Sequence, residues 1–320
     1  MAQTVLVAEG SAPAPLAWLA ERCRVLEVRK DDPTFASALA EADGLIVRSY
    51  LPVDDALLDG GPNLKVVGRG GVGIEHIDVA ACRARGIEVV YTPDANTRAV
   101  AELVAGLMVK LVRPWHAFTS FPTADQFTAY RKDAGEHLHE LTLGILGMGR
   151  VGHAVSRVAH HGFGMRVLYH DVADVDALID VPAESVSHEQ LVSRCDLLTV
   201  HVDGRPDNRG LVAEEELSRN VRWLINTSRG MCVDADAVHA ALADDRLEGV
   251  ALDVYDPEPP AADSAYAHIL RDFPDRAILT PHMASRTKTA VQNMSWVVRD
   301  VWRVLSGEPP EAPAPTATPT

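Results

Sequence analysis

The chain has 320 residues, 47% hydrophobic and 23% charged, with a formal net charge of −15. Its length suits two domains and its composition a packed core, while the negative field argues against nonspecific binding to nucleic acid or anionic membrane. Four scattered cysteines, Cys23, Cys82, Cys195 and Cys232, contain no C-x-x-C pair, so neither a disulfide framework nor a zinc site is expected and the setting reads as reducing and cytoplasmic. The opening residues MAQTVLVAEG lack the pattern of a signal peptide, and no apolar run is long enough to span a bilayer.

In chain order, apolar runs predict strands at Thr4–Ala8, Gly44–Arg48, Leu64–Gly68 and Ile87–Tyr91, separated by helical patterns at Leu16–Arg22, Phe35–Ala42 and Val79–Arg85. Such alternation predicts a parallel sheet with crossover helices. A long helix is expected from Ala99 to about Leu111, stopped near Arg113–Pro114. Residues 115–140 are polar and poorly periodic and read as connecting structure. A second alternating series predicts strands at Thr142–Leu146, Arg166–Tyr169, Leu197–His201, Arg222–Asn226, Gly249–Asp253 and Ala277–Leu279. Helices are expected at Arg150–His161, Asp234–Asp244 and Thr287–Leu305. The closing stretch GEPPEAPAPTATPT, residues 307–320, is too poor in core residues to fold and reads as a disordered tail.

The strongest local motif is Gly147-Met148-Gly149-Arg150-Val151-Gly152. It follows the apolar run LTLGIL and opens a helix with Val151, Ala154, Val155, Val158 and Ala159 on one face. Gly147 permits the tight turn, Gly149 lets the backbone approach a pyrophosphate, and Gly152 allows close helix–strand packing. The helix N-terminus offers free N–H groups to phosphate. Asp171 ends the next strand, about 20 residues beyond the loop, where a carboxylate accepts ribose hydroxyls and repels a 2′-phosphate. NAD is therefore the expected cofactor, held by Gly147, Gly149, Arg150, Val151, Gly152 and Asp171.

Three later segments, INTSRG (225–230), ALDVYDPEP (251–259) and LTPHMA (279–284), lie at predicted strand ends, where α/β proteins place ligands. With VGRGGVGIEHIDVAACRARGIEVVYTP and GILGMGRVG, they make residues 42–307 resemble the D-isomer-specific 2-hydroxyacid dehydrogenase family, phosphoglycerate-dehydrogenase-like members above all. The resemblance implies two doubly wound α/β lobes: a Rossmann-type nucleotide lobe over 99–282, and a flavodoxin-like substrate lobe built from 1–98 and 283–306. It implies that Arg229 forks onto the substrate carboxylate, that His282 is the general acid in reduction and base in oxidation, and that Glu258 orients it. Thr227 and Asp253 join the cofactor contacts, Asp253 beside the nicotinamide carboxamide. Related formate dehydrogenases carry glutamine where this chain has Glu258, so the glutamate fits a reaction that transfers a proton.

At the substrate end, the resemblance gives the backbone N–H groups of Val72 and Gly73 to the substrate carboxylate. It gives Arg48 and Arg69 to a second anionic group such as phosphate or phosphonate, with Arg98 a further candidate. Glu75-His76 stands where the family usually has Asp-Asn, and His201-Val202-Asp203-Gly204-Arg205-Pro206 replaces a more apolar pattern near the adenine side. The expected partners are a small anionic 2-hydroxy or 2-oxo acid and a second copy of the chain in a homodimer. No metal is expected, since His137, His139, His160 and His161 lack ligand spacing. A noncatalytic NAD-sensing protein like the co-repressor branch of this fold, and a phosphite-type acid oxidase, remain alternatives.

Overall fold

Runs such as VLVA and GLIV are apolar at every position, so strands made from them must bury both faces. The computed structural model, which describes residues 3–115 and 120–315, meets that requirement twice. Contacts divide the chain into two units, Met1–Asn96 with Ser285–Thr320, and Thr97–Ala284.

In the first unit, β1 (Thr4–Val7), β2 (Arg24–Glu27), β3 (Gly44–Val47), β4 (Val66–Arg69) and β5 (Glu88–Tyr91) form a parallel sheet in the order β2-β1-β3-β4-β5. This is the expected flavodoxin-like order. Strand alternation divides its core. Val5, Val7, Ile46, Val66 and Val90 pack with Leu19, Val298 and Val301. Leu6, Leu45, Val47, Val67 and Val89 pack on the other face with Leu39, Leu58 and Cys82. The helix expected across 287–305 is two helices, Lys288–Ser295 and Val298–Leu305.

The C-terminal tail corrects an expectation. The composition of residues 307–315 predicts no structure, yet Pro313 bridges Val90 in antiparallel register. Tyr91 N–H donates to the Ala312 carbonyl, and Ala314 N–H to the Val89 carbonyl. The carboxylate of Asp300 accepts the N–H groups of Glu311 and Ala312 at 2.8 and 3.0 Å. The tail needs no core of its own because it borrows the open edge of β5 and seats Ala314 in the existing one. The rest of the expected tail, 316–320, lies outside the described residues.

The second unit carries β6 (Thr142–Leu146), β7 (Arg166–His170), β8 (Glu184–Ser185), β9 (Leu197–Val200), β10 (Trp223–Asn226), β11 (Gly249–Leu252) and β12 (Ala277–Leu279). Their order is β12-β11-β10-β9-β6-β7-β8, all parallel. The order reverses at β6, which makes its carboxyl end the switch point of a Rossmann sheet, where a dinucleotide binds. Leu143, Ile145, Val167, Leu197 and Ile225 face the helix Thr97–Val112 through Val100, Val104 and Met108. Leu146, Leu168, Leu198, Val200 and Leu224 face Leu191, Val238 and Leu242 on the other side. The connecting segment holds a helix the sequence pattern does not predict, Ala124–Tyr130, started by a reciprocal cap between Thr123 and Gln126. No helix among the described residues is long and apolar enough to cross a membrane.

Candidate active site

The turn after β6 is built as the glycine spacing requires. Gly147 has φ +92°, and a Cβ there would sit 2.8 to 2.9 Å from the backbone of His201 and Val202. A Cβ on Gly152 would sit 2.2 Å from the Gly147 carbonyl oxygen. Gly149 differs: it precedes the helix Arg150–Arg157, and its missing Cβ faces open space. Arg150 and Val151 form the first turn of that helix. Asp171, just past β7, reaches back to the loop: Oδ2 accepts the Met148 N–H at 2.7 Å and Oδ1 the Ala173 N–H at 2.9 Å. A carboxylate has room for further donors beyond these.

Arg229 is set by a tight turn. The side-chain oxygen of Asn226, at the end of β10, accepts from the Ser228 N–H and hydroxyl, while the Asn226 amide donates to the Arg229 carbonyl. The guanidinium is half-buried and donates to the Ser228 carbonyl at 2.8 Å. Gly230 follows because a Cβ there would fall 2.0 Å from the Tyr255 carbonyl carbon. Within the same turn, the Thr227 hydroxyl is buried without a hydrogen-bond partner, an arrangement that calls for a ligand or water.

His282 has φ +48°, an uncommon conformation for a residue with a side chain. Residues on both sides of it are tied down. Asp253, fully buried just past β11, accepts the Thr280 hydroxyl at 2.5 Å and the Met283 N–H at 2.8 Å on Oδ1, and the Ala284 N–H at 2.8 Å on Oδ2. The Tyr255 hydroxyl donates to the Thr280 carbonyl at 2.8 Å. Burial, with the nearby charges of Asp253 and Glu258, pushes that phenol up to about 12, so it remains a donor. The held ring places Nδ1 2.8 and 3.0 Å from the two oxygens of Glu258. Donation from Nδ1 to a carboxylate leaves Nε2 as the nitrogen that exchanges a proton with a ligand. Both side chains keep access to solvent, at 44% for His282 and 33% for Glu258.

The expected pair Glu258–His282 is thus assembled, while Asp253 is found bracing the histidine loop. Sequence reasoning did not single out Asn226, Gly230, Thr280 or Tyr255. Only Asn226, two residues before Ser228, carried a local signal, that of an Asx turn. His201, beside Gly147, is pushed down to about 3 by burial and stays neutral.

On the first unit, Arg48 follows β3. Its guanidinium is half-buried, with Nη2 4.0 Å from Met294 Sδ. Burial, then the charge of Arg286, lowers its pKa below the ordinary value. Arg69 turns onto its own loop, donating at 2.7 Å to the carbonyls of Gly73 and Gly70; it shapes the segment containing Val72 and Gly73. Arg98 is exposed and pairs with Glu102 at 3.1 Å.

Residues 105–284 match the model of the D-isomer specific 2-hydroxyacid dehydrogenase NAD binding domain. A glyoxylate reductase of Thermofilum pendens is 32% identical over 94% of this chain and 91% of its own length. A D-3-phosphoglycerate dehydrogenase of Methanocaldococcus jannaschii is 32% identical over 84% of this chain. The match spans 51% of that relative, about half its length. The crystal structure of the TT0316 protein from Thermus thermophilus superposes with a TM-score of 0.83 at 31% identity, covering 98% of this chain and 100% of that one. The chain belongs to the D-isomer specific 2-hydroxyacid dehydrogenase family: it carries that family's NAD-binding domain, and its chemistry is hydroxy-acid and oxo-acid redox. The open space at Gly149 and the unpartnered Thr227 hydroxyl fit that cofactor.

Proposed function

We propose that this enzyme interconverts a small anionic 2-hydroxy acid and its 2-oxo acid, with Arg229, Glu258 and His282 as its catalytic residues. The contact between Glu258 and His282 Nδ1, on a loop held in strained geometry by Asp253, carries the reading. NAD supplies the two-electron chemistry when bound. Gly147, Gly149, Gly152, Arg150 and Val151 would hold its pyrophosphate, Asp171 its ribose, and Thr227 and Asp253 would lie toward the nicotinamide.

Arg229 binds the substrate carboxylate and polarises the oxygen on C2. In reduction, His282 Nε2 gives its proton to that oxygen as it gains charge; in oxidation, Nε2 removes the proton from the hydroxyl. Glu258 accepts the Nδ1–H and so orients the ring, leaving Nε2 for the exchange. The backbone of Val72 and Gly73 would add N–H donors for the carboxylate. We assign Arg48 to a second anionic group on the substrate: half-buried, lowered in pKa and set against a thioether, its guanidinium is suited to a phosphate or phosphonate. The working form is a homodimer in this reading.

The test is NADH oxidation with glyoxylate, hydroxypyruvate, phosphohydroxypyruvate and phosphonopyruvate. Turnover of at least one is expected. If phosphorylated acids are preferred, Arg48→Ala raises their KM and leaves that of glyoxylate unchanged. Bound NADH with no turnover across the panel would return the chain to the noncatalytic alternative, and NAD reduction by phosphite would favour the third.

A further inference from the structure

The loop after β9 carries charges that the reaction described above does not use. Residues 201 and 202 pack directly on Gly147, so the loop runs beside the dinucleotide turn. On the other flank of β6, Asp171 binds the Met148 N–H of the same turn. Asp203 holds Arg205 in a fork: Nε donates to Oδ1 at 2.8 Å and Nη2 to Oδ2 at 2.7 Å, with the Arg205 N–H adding 3.1 Å to Oδ1. Asn208 secures Asp203 in turn, donating to its carbonyl at 3.0 Å and to Oδ1 at 2.9 Å. The Arg205 side chain is 20% exposed.

A guanidinium fixed along one edge by a carboxylate presents its other edge with little entropy left to lose. Arg205 and Asp171 also interact electrostatically: the fork with Asp203 raises the pKa of Arg205 first, and Asp171 adds to it. Asp171 alone would repel a 2′-phosphate on the adenosine ribose. A cation within electrostatic reach of Asp171, on the loop that passes the turn, offsets that repulsion and offers donors in the planar geometry that suits phosphate.

We propose that Arg205, held in place by Asp203, sets dinucleotide selectivity by addressing the adenosine ribose end beside Asp171, so that the enzyme accepts NADP(H) as well as NAD(H). This rests on dinucleotide binding at the β6 turn. It is independent of which acid is turned over.

The test is direct binding of NADH and NADPH, read by nucleotide fluorescence without substrate, for the native chain and for Arg205→Ala, Arg205→Lys and Asp203→Asn, with circular dichroism to verify folding. The native protein should bind both. Arg205→Ala should weaken NADPH by about tenfold or more, the loss of a bond to a charged group, and NADH by about threefold or less. Arg205→Lys and Asp203→Asn, which keep the charge but lose the fork, should fall between. Equal weakening of both dinucleotides would assign Arg205 to the shared pyrophosphate and overturn the proposal. So would a native protein that binds NADH but not NADPH, or an Arg205→Ala variant with an unchanged ratio. Failure of the native protein to bind either would instead defeat the placement of the dinucleotide itself.

Discussion

Asp253→Asn keeps the size of a fully buried side chain and removes its charge. In the native protein Oδ1 serves the Thr280 hydroxyl and Met283 N–H, and Oδ2 serves the Ala284 N–H. An amide keeps oxygen at one of those two positions, so its NH2 must face at least one main-chain N–H. The Thr280 hydroxyl can rotate to adapt; the peptide donors cannot. Replacing a charge-assisted bond to a buried N–H by a mismatched amide costs about 1.5–3 kcal/mol, and the upper end, near 3 kcal/mol, applies where the donor is left unmatched. The affected segment is the one that keeps His282 at φ +48°. At about 1.4 kcal/mol per decade, kcat should fall about 100-fold if the histidine loop bears the whole loss. Any part borne by the whole unit appears as a lower Tm, about 2–4 °C per kcal/mol. NADH should weaken only by what the nicotinamide-side contact of Asp253 contributes, because the glycine turn that would hold the pyrophosphate is untouched. The assays are steady-state NADH oxidation and thermal denaturation. An Asn variant with native kcat and native Tm would refute the claim that Asp253 braces the catalytic loop.

Gly230→Ala should destabilise the protein by about 1–3 kcal/mol and displace Arg229, because the new Cβ meets the Tyr255 backbone at 2.0 Å. Gly106→Ala, mid-helix with open space around it, should instead stabilise by about 0.5–1 kcal/mol; chemical denaturation of the two variants compares them. Asp300→Ala removes the acceptor for Glu311 and Ala312, so hydrogen exchange should quicken at the Tyr91 and Ala314 amides; unchanged protection there would mean the tail docks without it. His201 titrates near 3 when folded against about 6.5 when unfolded. Below about pH 6.5 the unfolded chain takes up a proton the folded one refuses, so stability falls with decreasing pH, by at most about 1.4 kcal/mol per unit. His201→Asn should flatten that slope between pH 6 and pH 4, measured as urea midpoints.

The strands of both sheets were legible where they are buried on both faces, because their apolar runs have no other explanation. β2, with charged residues at both ends of Arg24–Glu27, and the two-residue β8 are edge strands whose side chains stay partly or fully exposed, so no run marks them. The glycine turn was legible because backbone contacts at 2.2 to 2.9 Å admit no Cβ, and that demand is written in residue types. The brace on His282 was not. Asp253 meets Met283 and Ala284 from 30 and 31 positions away, a contact created by parallel pairing of β11 with β12. The tail failed for the same reason: composition describes what a segment can bury alone, and β5 lends it an edge.

The central claim is that His282, oriented by Glu258, moves the proton while other residues hold the cofactor. The most direct test measures NADH affinity and turnover of the best 2-oxo acid side by side in the native enzyme and His282→Ala. The account predicts an NADH Kd within about threefold of native together with loss of turnover by about 100-fold or more, the range for removal of a general acid. Native turnover in the alanine variant would contradict it, and so would loss of NADH binding large enough to explain the loss of activity.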